Sequence, residues 1–258
     1  MTVMAAEAPR LDIAKVIGAT FGVLGRNFIP FAGLTVLMVG APMAIIGFGA
    51  AGLIADPTNL DLRMQGFGAI GLGVLVYIVT TAMLQGALIY GTVRDLNGQR
   101  ATFGECLATG LRAFLPLILV SILMWLGIVA GLMLFLVPGV MLGVAWCVAV
   151  PAQVSERTGI VSALGRSAEL TRGNRWRIFG LVLLFVVLGW IVSALVTPFS
   201  LAVGSMGPSG VLLSQMLTNA VSTVVNTLVG ATGASVLYAE LRRLKEGLAP
   251  DALAALFD

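Results

Sequence analysis

Four stretches of this chain, residues 28–55, 66–93, 113–155 and 178–239, contain no Asp, Glu, Lys or Arg and consist mainly of apolar side chains. Crossing the hydrocarbon core of a bilayer takes about 20 apolar residues in a helix, so the first two stretches each read as one span. The third and fourth are long enough for two. Val137-Pro138-Gly139 divides the third, because proline and glycine favour a break, and Gly204, Gly207, Pro208 and Gly210 divide the fourth. The pattern predicts an all-α fold, a polytopic bundle of six transmembrane helices forming one integral membrane domain over residues 1–258. The spans fall near 31–54, 67–93, 114–136, 139–154, 178–201 and 211–238. A transmembrane barrel would instead alternate in segments of about ten residues. Ordinary sequence precedes the first span and no small-residue cleavage site follows it, so it does not read as a signal peptide.

Composition agrees. Only 10% of residues are charged, against about 25% in a soluble domain, and the mean hydropathy is +1.03. The chain has no histidine, which removes imidazole general acid–base chemistry, His-dependent triads and His-ligated metals. No phosphate-binding loop, dinucleotide fingerprint or metal-ligand cluster is present, and neither a metal nor another cofactor is expected. Cys106 and Cys147 read as free small hydrophobes rather than a disulfide.

Basic residues set the orientation. Arg10, Lys15 and Arg26 precede the first span; Arg94, Arg100 and Arg112 lie between the second and third. Arg157, Arg166, Arg172, Arg175 and Arg177 lie between the fourth and fifth, and Arg242, Arg243 and Lys245 follow the sixth. Six crossings put all four groups on one side, which the positive-inside rule makes the cytoplasm. Only Arg63 faces the other way. Both ends of the chain are expected inside.

The polar segments on that side resemble one another. Apolar stripes at helical spacing occupy about 11–25, 102–112 and 158–172, and each is followed by arginine and an aromatic at the entry to a span. Such stripes predict amphipathic helices lying at the interface. Thr102 and Glu105 fit a capping box for the second of them. The chain therefore reads as three tandem copies of an interfacial helix followed by a transmembrane hairpin.

Two groups of side chains are candidates for function. The first is a belt of Arg166, Arg172, Arg175, Trp176 and Arg177, suited to anionic headgroups, since each juxtamembrane basic residue adds about 1 kcal/mol of attraction to an anionic surface. Topological anchoring and an acidic partner are the competing readings. The second is a polar stripe in the last span, where Ser214, Thr218, Ser222 and Asn226 recur every fourth residue beside Gln215 and Asn219. Small and amide-bearing side chains at that spacing pack helices closely; they can also line a path. No ionisable group falls inside a predicted span, which argues against proton coupling.

Leu136-Val137-Pro138-Gly139, Trp146, Pro151, Ala163-Leu164-Gly165-Arg166-Ser167 and Leu170-Thr171-Arg172-Gly173-Asn174-Arg175-Trp176-Arg177-Ile178-Phe179 resemble the membrane-domain family of glycerophosphoryl diester phosphodiesterases and related stand-alone six-helix bacterial inner-membrane proteins. Ala168 departs from the aromatic often found there. The resemblance implies the six-span fold and the inner-membrane address. It implies no phosphodiesterase activity, because that belongs to a separate histidine-bearing catalytic domain. The expectation is a non-enzymatic membrane protein without catalytic residues that binds or organises phospholipids, membrane-protein partners or further copies of itself through the belt. The alternative is an uncoupled transporter or lipid mover using the stripe. Nucleic acid is not an expected partner.

Overall fold

The computed structural model describes residues 11–55, 58–205 and 207–247, and among these there are nine helices and no strand. Six segments are long and apolar enough to cross a membrane: Phe28–Ile54, Leu60–Leu96, Phe103–Leu134, Leu136–Glu156, Arg175–Val203 and Thr218–Glu246. The protein is an all-α, multi-pass membrane protein.

α1 (Ile13–Arg26) is capped by Asp12, whose carboxylate accepts the Lys15 N–H at 3.2 Å. Asn27 stops it and α2 (Phe28–Ala55) follows at once. α3 (Leu60–Leu96) returns antiparallel to α2, starting under the Asn59 cap. α4 (Phe103–Leu134) carries the capping box foreseen at Thr102 and Glu105. α5 (Leu136–Trp146) and α6 (Ala149–Glu156) together form the next crossing. α7 (Ile160–Thr171) precedes the long hairpin of α8 (Arg175–Gly204) and α9 (Pro208–Glu246).

The structure departs from the expected boundaries in three places. Residues 102–112 are not a separate interfacial helix but the first turns of α4. The first unit breaks at Asn27 and the third at Gly173, which takes φ 93°; Arg112-Ala113-Phe114 offers no such break, so the helix runs on. Pro138 does not start a break either. It lies in the first turn of α5, where its missing N–H has no helical partner to lose, and the chain turns at Phe135 instead. The fourth crossing is interrupted at Cys147 and Val148, with no proline or glycine at either position. There α7 compensates: the Ser167 hydroxyl donates to the Ala145 carbonyl at 2.8 Å and accepts the Val148 N–H at 3.3 Å, while the Thr171 hydroxyl also reaches Ala145 O at 3.3 Å.

The helices are stapled together at one end, which we term the basic end. Here α1, the ends of α3, α6 and α9, and the starts of α4 and α8 enclose Leu88, Ile89, Leu170, Ile178, Tyr238 and Leu241, all under 2% exposed. Toward the other end the hairpins part. Phe48, Met133, Trp190 and Leu195 are all more than 70% exposed there, a surface for lipid to cover. Glycines mark where hairpin backbones still touch. A Cβ on Gly49 would lie 2.7 Å from the Gly66 carbonyl, and one on Gly131 2.9 Å from Gly139 Cα.

Candidate functional site

The belt residues lie on the α7–α8 segment, and the structure divides them. Arg166 is held in an ion-pair cluster. Its Nε donates to both Glu156 oxygens at 3.0 and 3.1 Å, and it also pairs with Glu246. Tyr238 Oη donates to Glu156 Oε1 at 2.7 Å, and Arg242 Nε donates to Glu246 Oε2 at 2.7 Å. Two arginines and two carboxylates thus neutralise one another while joining α6, α7 and α9. Arg177 is also committed, since its Nη1 donates to the Leu11 carbonyl at 2.7 Å, and Asn174 Oδ1 accepts the Leu11 N–H at 3.3 Å. Both contacts fix α1 against the start of α8.

Arg172, Arg175 and Trp176 remain. Neither arginine has an ion pair among the described residues, and the Arg175 Nε is buried without a hydrogen-bond partner. Trp176 is 87% exposed and meets Phe179 edge to face at 6.2 Å. Beside them runs an apolar groove of about 470 Å³, walled by Leu136, Val137, Val140, Met141 and Val144 of α5 and by Phe179. A groove for hydrocarbon with the Arg175 guanidinium in its lining suits an amphiphile with an anionic head.

The polar stripe of α9 is partly packed. Ser222 meets the Ser193 hydroxyl of α8 at 3.4 Å, and Asn226 lies against Gly189, where an added Cβ would stand 2.5 Å from Asn226 Oδ1. Nearer the start of α9, Ser214, Thr218 and Asn219 line a cavity of about 510 Å³ with Ser200 and Ser205. Thr218 Oγ1 is buried there without a partner. Gln215 lies in α9, its side chain outside those described. A separate cavity of about 310 Å³ brings Asn226 near Cys147 and Phe185. Both cysteines are free thiols, and among the described residues no three His, Cys, Asp or Glu side chains are grouped to hold a metal.

The ion-pair cluster escaped the sequence reading because its members come together from three helices. One signal was present. Tyr90 and Arg94 near the end of α3 repeat the spacing of Tyr238 and Arg242 near the end of α9, and in both pairs the arginine donates to the tyrosine oxygen, at 3.0 and 3.4 Å.

A domain family of unknown function, DUF7847, matches residues 106–244. The match takes in more than half of the chain, so the chain belongs to this family. It includes the belt, the stripe and the ion-pair cluster except Glu246, and begins after α3. No curated protein and no solved structure matches the sequence.

Proposed function

We propose that the protein is a non-enzymatic component of a bacterial inner membrane, its basic end in the cytoplasm, that binds and organises anionic phospholipid at the α5–α8 groove. One observation carries this reading: Arg175, without a counter-ion among the described residues, lines a groove of about 470 Å³ that is otherwise almost wholly hydrocarbon, with the exposed Arg172 three residues before it. The phosphate takes the guanidinium groups, an acyl chain takes the groove, and Trp176 sits at headgroup level, as interfacial aromatics do. Arg166 and Arg177 serve as positioning residues, one for α9 and one for α1. The likeness to the phosphodiesterase membrane domains fits a lipid-facing role of this kind without adding a reaction.

The test is co-purification with lipid. Full-length protein in mild detergent, mixed with phosphatidylglycerol or phosphatidylcholine and examined by native mass spectrometry, is expected to retain the anionic lipid preferentially. The Arg172→Gln/Arg175→Gln double variant should lose that preference by about tenfold or more, the equivalent of one charge-assisted hydrogen bond. Arg166→Gln should keep it while lowering stability. Equal retention by wild type and double variant refutes the groove. Discovery of only additional protein subunits in the spectra would favour a membrane-protein partner or self-association instead.

A second reading rests on the cavity of about 510 Å³ between α8 and α9. Its hydroxyl and amide lining gives an uncharged polar solute or headgroup a way into the bundle without proton coupling. Leucine at Ser214 and Thr218 would slow such passage in a proteoliposome flux assay, and unchanged flux would remove the path.

A further inference from the structure

Near the end of α6, Arg112 of α4 and Arg157 face a shared pocket of about 310 Å³, which Thr109, Pro116 and Gln153 also line. We propose that this pocket is a second binding site, for a phosphate group that carries a hydrogen-bond donor beside its charge.

Four observations converge. Arg112 and Arg157 are exposed and have no counter-ion among the described residues, so two like charges line one small cavity, a setting that favours an anion. Gln153 is 7% exposed, yet its Oε1 has no hydrogen-bond partner; a buried acceptor left unmatched calls for a donor. The Thr109 hydroxyl already donates to the Glu105 carbonyl at 2.9 Å, so toward the pocket it too can only accept. Pro116 lacks the N–H that would normally bond the Arg112 carbonyl four residues back, which adds another acceptor. Two cations and several acceptors together match a phosphate bearing a hydroxyl or ammonium. Hydrogen phosphate has that form, and so does a phosphoglycerol or phosphoethanolamine headgroup.

A fifth observation concerns the backbone. Arg157 closes α6 at φ 50°, and it is the one non-glycine residue with positive φ among the described residues. The outer two hairpins leave their last helices through glycine, Gly98 at φ 73° and Gly247 at φ 64°. Glycine adopts that conformation freely and an L side chain does not. The middle hairpin thus keeps an arginine where the local backbone favours glycine, and its backbone N–H closes the helix on the Gln153 backbone carbonyl at 3.0 Å. Strain of this kind persists where the side chain has work to do.

Arg157→Gly provides a test that misfolding cannot obscure, because the substitution suits the backbone. Full-length protein in phosphatidylcholine nanodiscs would be titrated with dihexanoyl phosphatidylglycerol and, separately, with inorganic phosphate, alongside Arg112→Gln, Arg157→Gly and Arg175→Gln. Wild type should bind one probe saturably. Arg157→Gly should keep or raise the Tm while weakening binding about tenfold or more, and Arg112→Gln should weaken it similarly. Binding of the short-chain lipid that phosphate cannot match makes the ligand a headgroup; binding of phosphate alone makes it the soluble ion. Arg175→Gln, at the groove, should weaken only the groove's share of short-chain lipid binding and leave phosphate binding and the component lost in Arg157→Gly and Arg112→Gln intact, so failure of the groove reading and failure of this one are separable. Wild-type affinity in both Arg157→Gly and Arg112→Gln, or no saturable binding of either probe, overturns the proposal.

Discussion

Replacing Glu156 with glutamine tests whether the basic end is held by charge. Glu156 accepts hydrogen bonds from Arg166 and Tyr238 and lies 4.0 Å from Arg242 Nε. Its side chain is 12% exposed, that of Arg242 11% and those of Arg166 and Glu246 close to 25%. Gln keeps the shape and removes the charge, leaving two arginines to share Glu246. Removing one partner of a fully buried pair costs about 3–5 kcal/mol; with Glu246 still present and partial water access, about 2–3 kcal/mol is expected. At about 2–4 °C per kcal/mol for a chain of this size, the Tm should fall by about 5–10 °C. Thermal unfolding in one detergent, followed by tryptophan fluorescence, reads this directly. A cycle with Arg166→Gln separates charge from shape, because the double variant should be less destabilised than the sum of the singles by about 1 kcal/mol or more. A loss within about 0.5 kcal/mol, together with additive singles, would mean that the cluster acts as an ordinary exposed ion pair, and the reasoning would be wrong.

Gly110→Ala should cost about 1–3 kcal/mol by overpacking, since the new methyl would meet the Met83 carbonyl where α4 crosses α3, whereas Gly180→Ala meets nothing within 4 Å and should be neutral or slightly stabilising in the same melt. Ser167→Ala strands the Val148 N–H and leaves the Ala145 carbonyl with only the Thr171 hydroxyl at 3.3 Å, and should lower stability by about 1–3 kcal/mol, with faster amide exchange at Val148 as the local readout. Arg26→Gln removes a contact of 2.5 Å to Asp95, but the Arg26 side chain is 60% exposed; it should change the melting free energy by less than about 1 kcal/mol, and by less still in high salt.

The crossings were legible in the sequence because hydrocarbon excludes charge outright, and the runs from Phe28 and Ile178 advertise that exclusion residue by residue. The capping box at Thr102 was equally readable, as a local device within four residues. The continuity of α4 was not, since an amphipathic stripe reads the same whether its helix ends at Arg112 or runs on. The interruption at Cys147 was hidden for another reason: its compensating hydroxyls, Ser167 and Thr171, lie some 20 residues further along. The belt was located but not divided. Spacing puts Arg166 and Arg175 on one short segment, and only the fold brings Glu156 and Glu246 to the first and leaves the second facing a groove.

Because the core gathers at one end, the protein has a fixed base and three compliant arms. Away from that base Phe48, Met133, Trp190 and Leu195 face outward rather than into a neighbouring hairpin. A thicker or thinner bilayer can therefore be met by leaning the arms, with lipid replacing lipid along their flanks. The gaps between them would widen or narrow with the membrane while the charged collar stays in register.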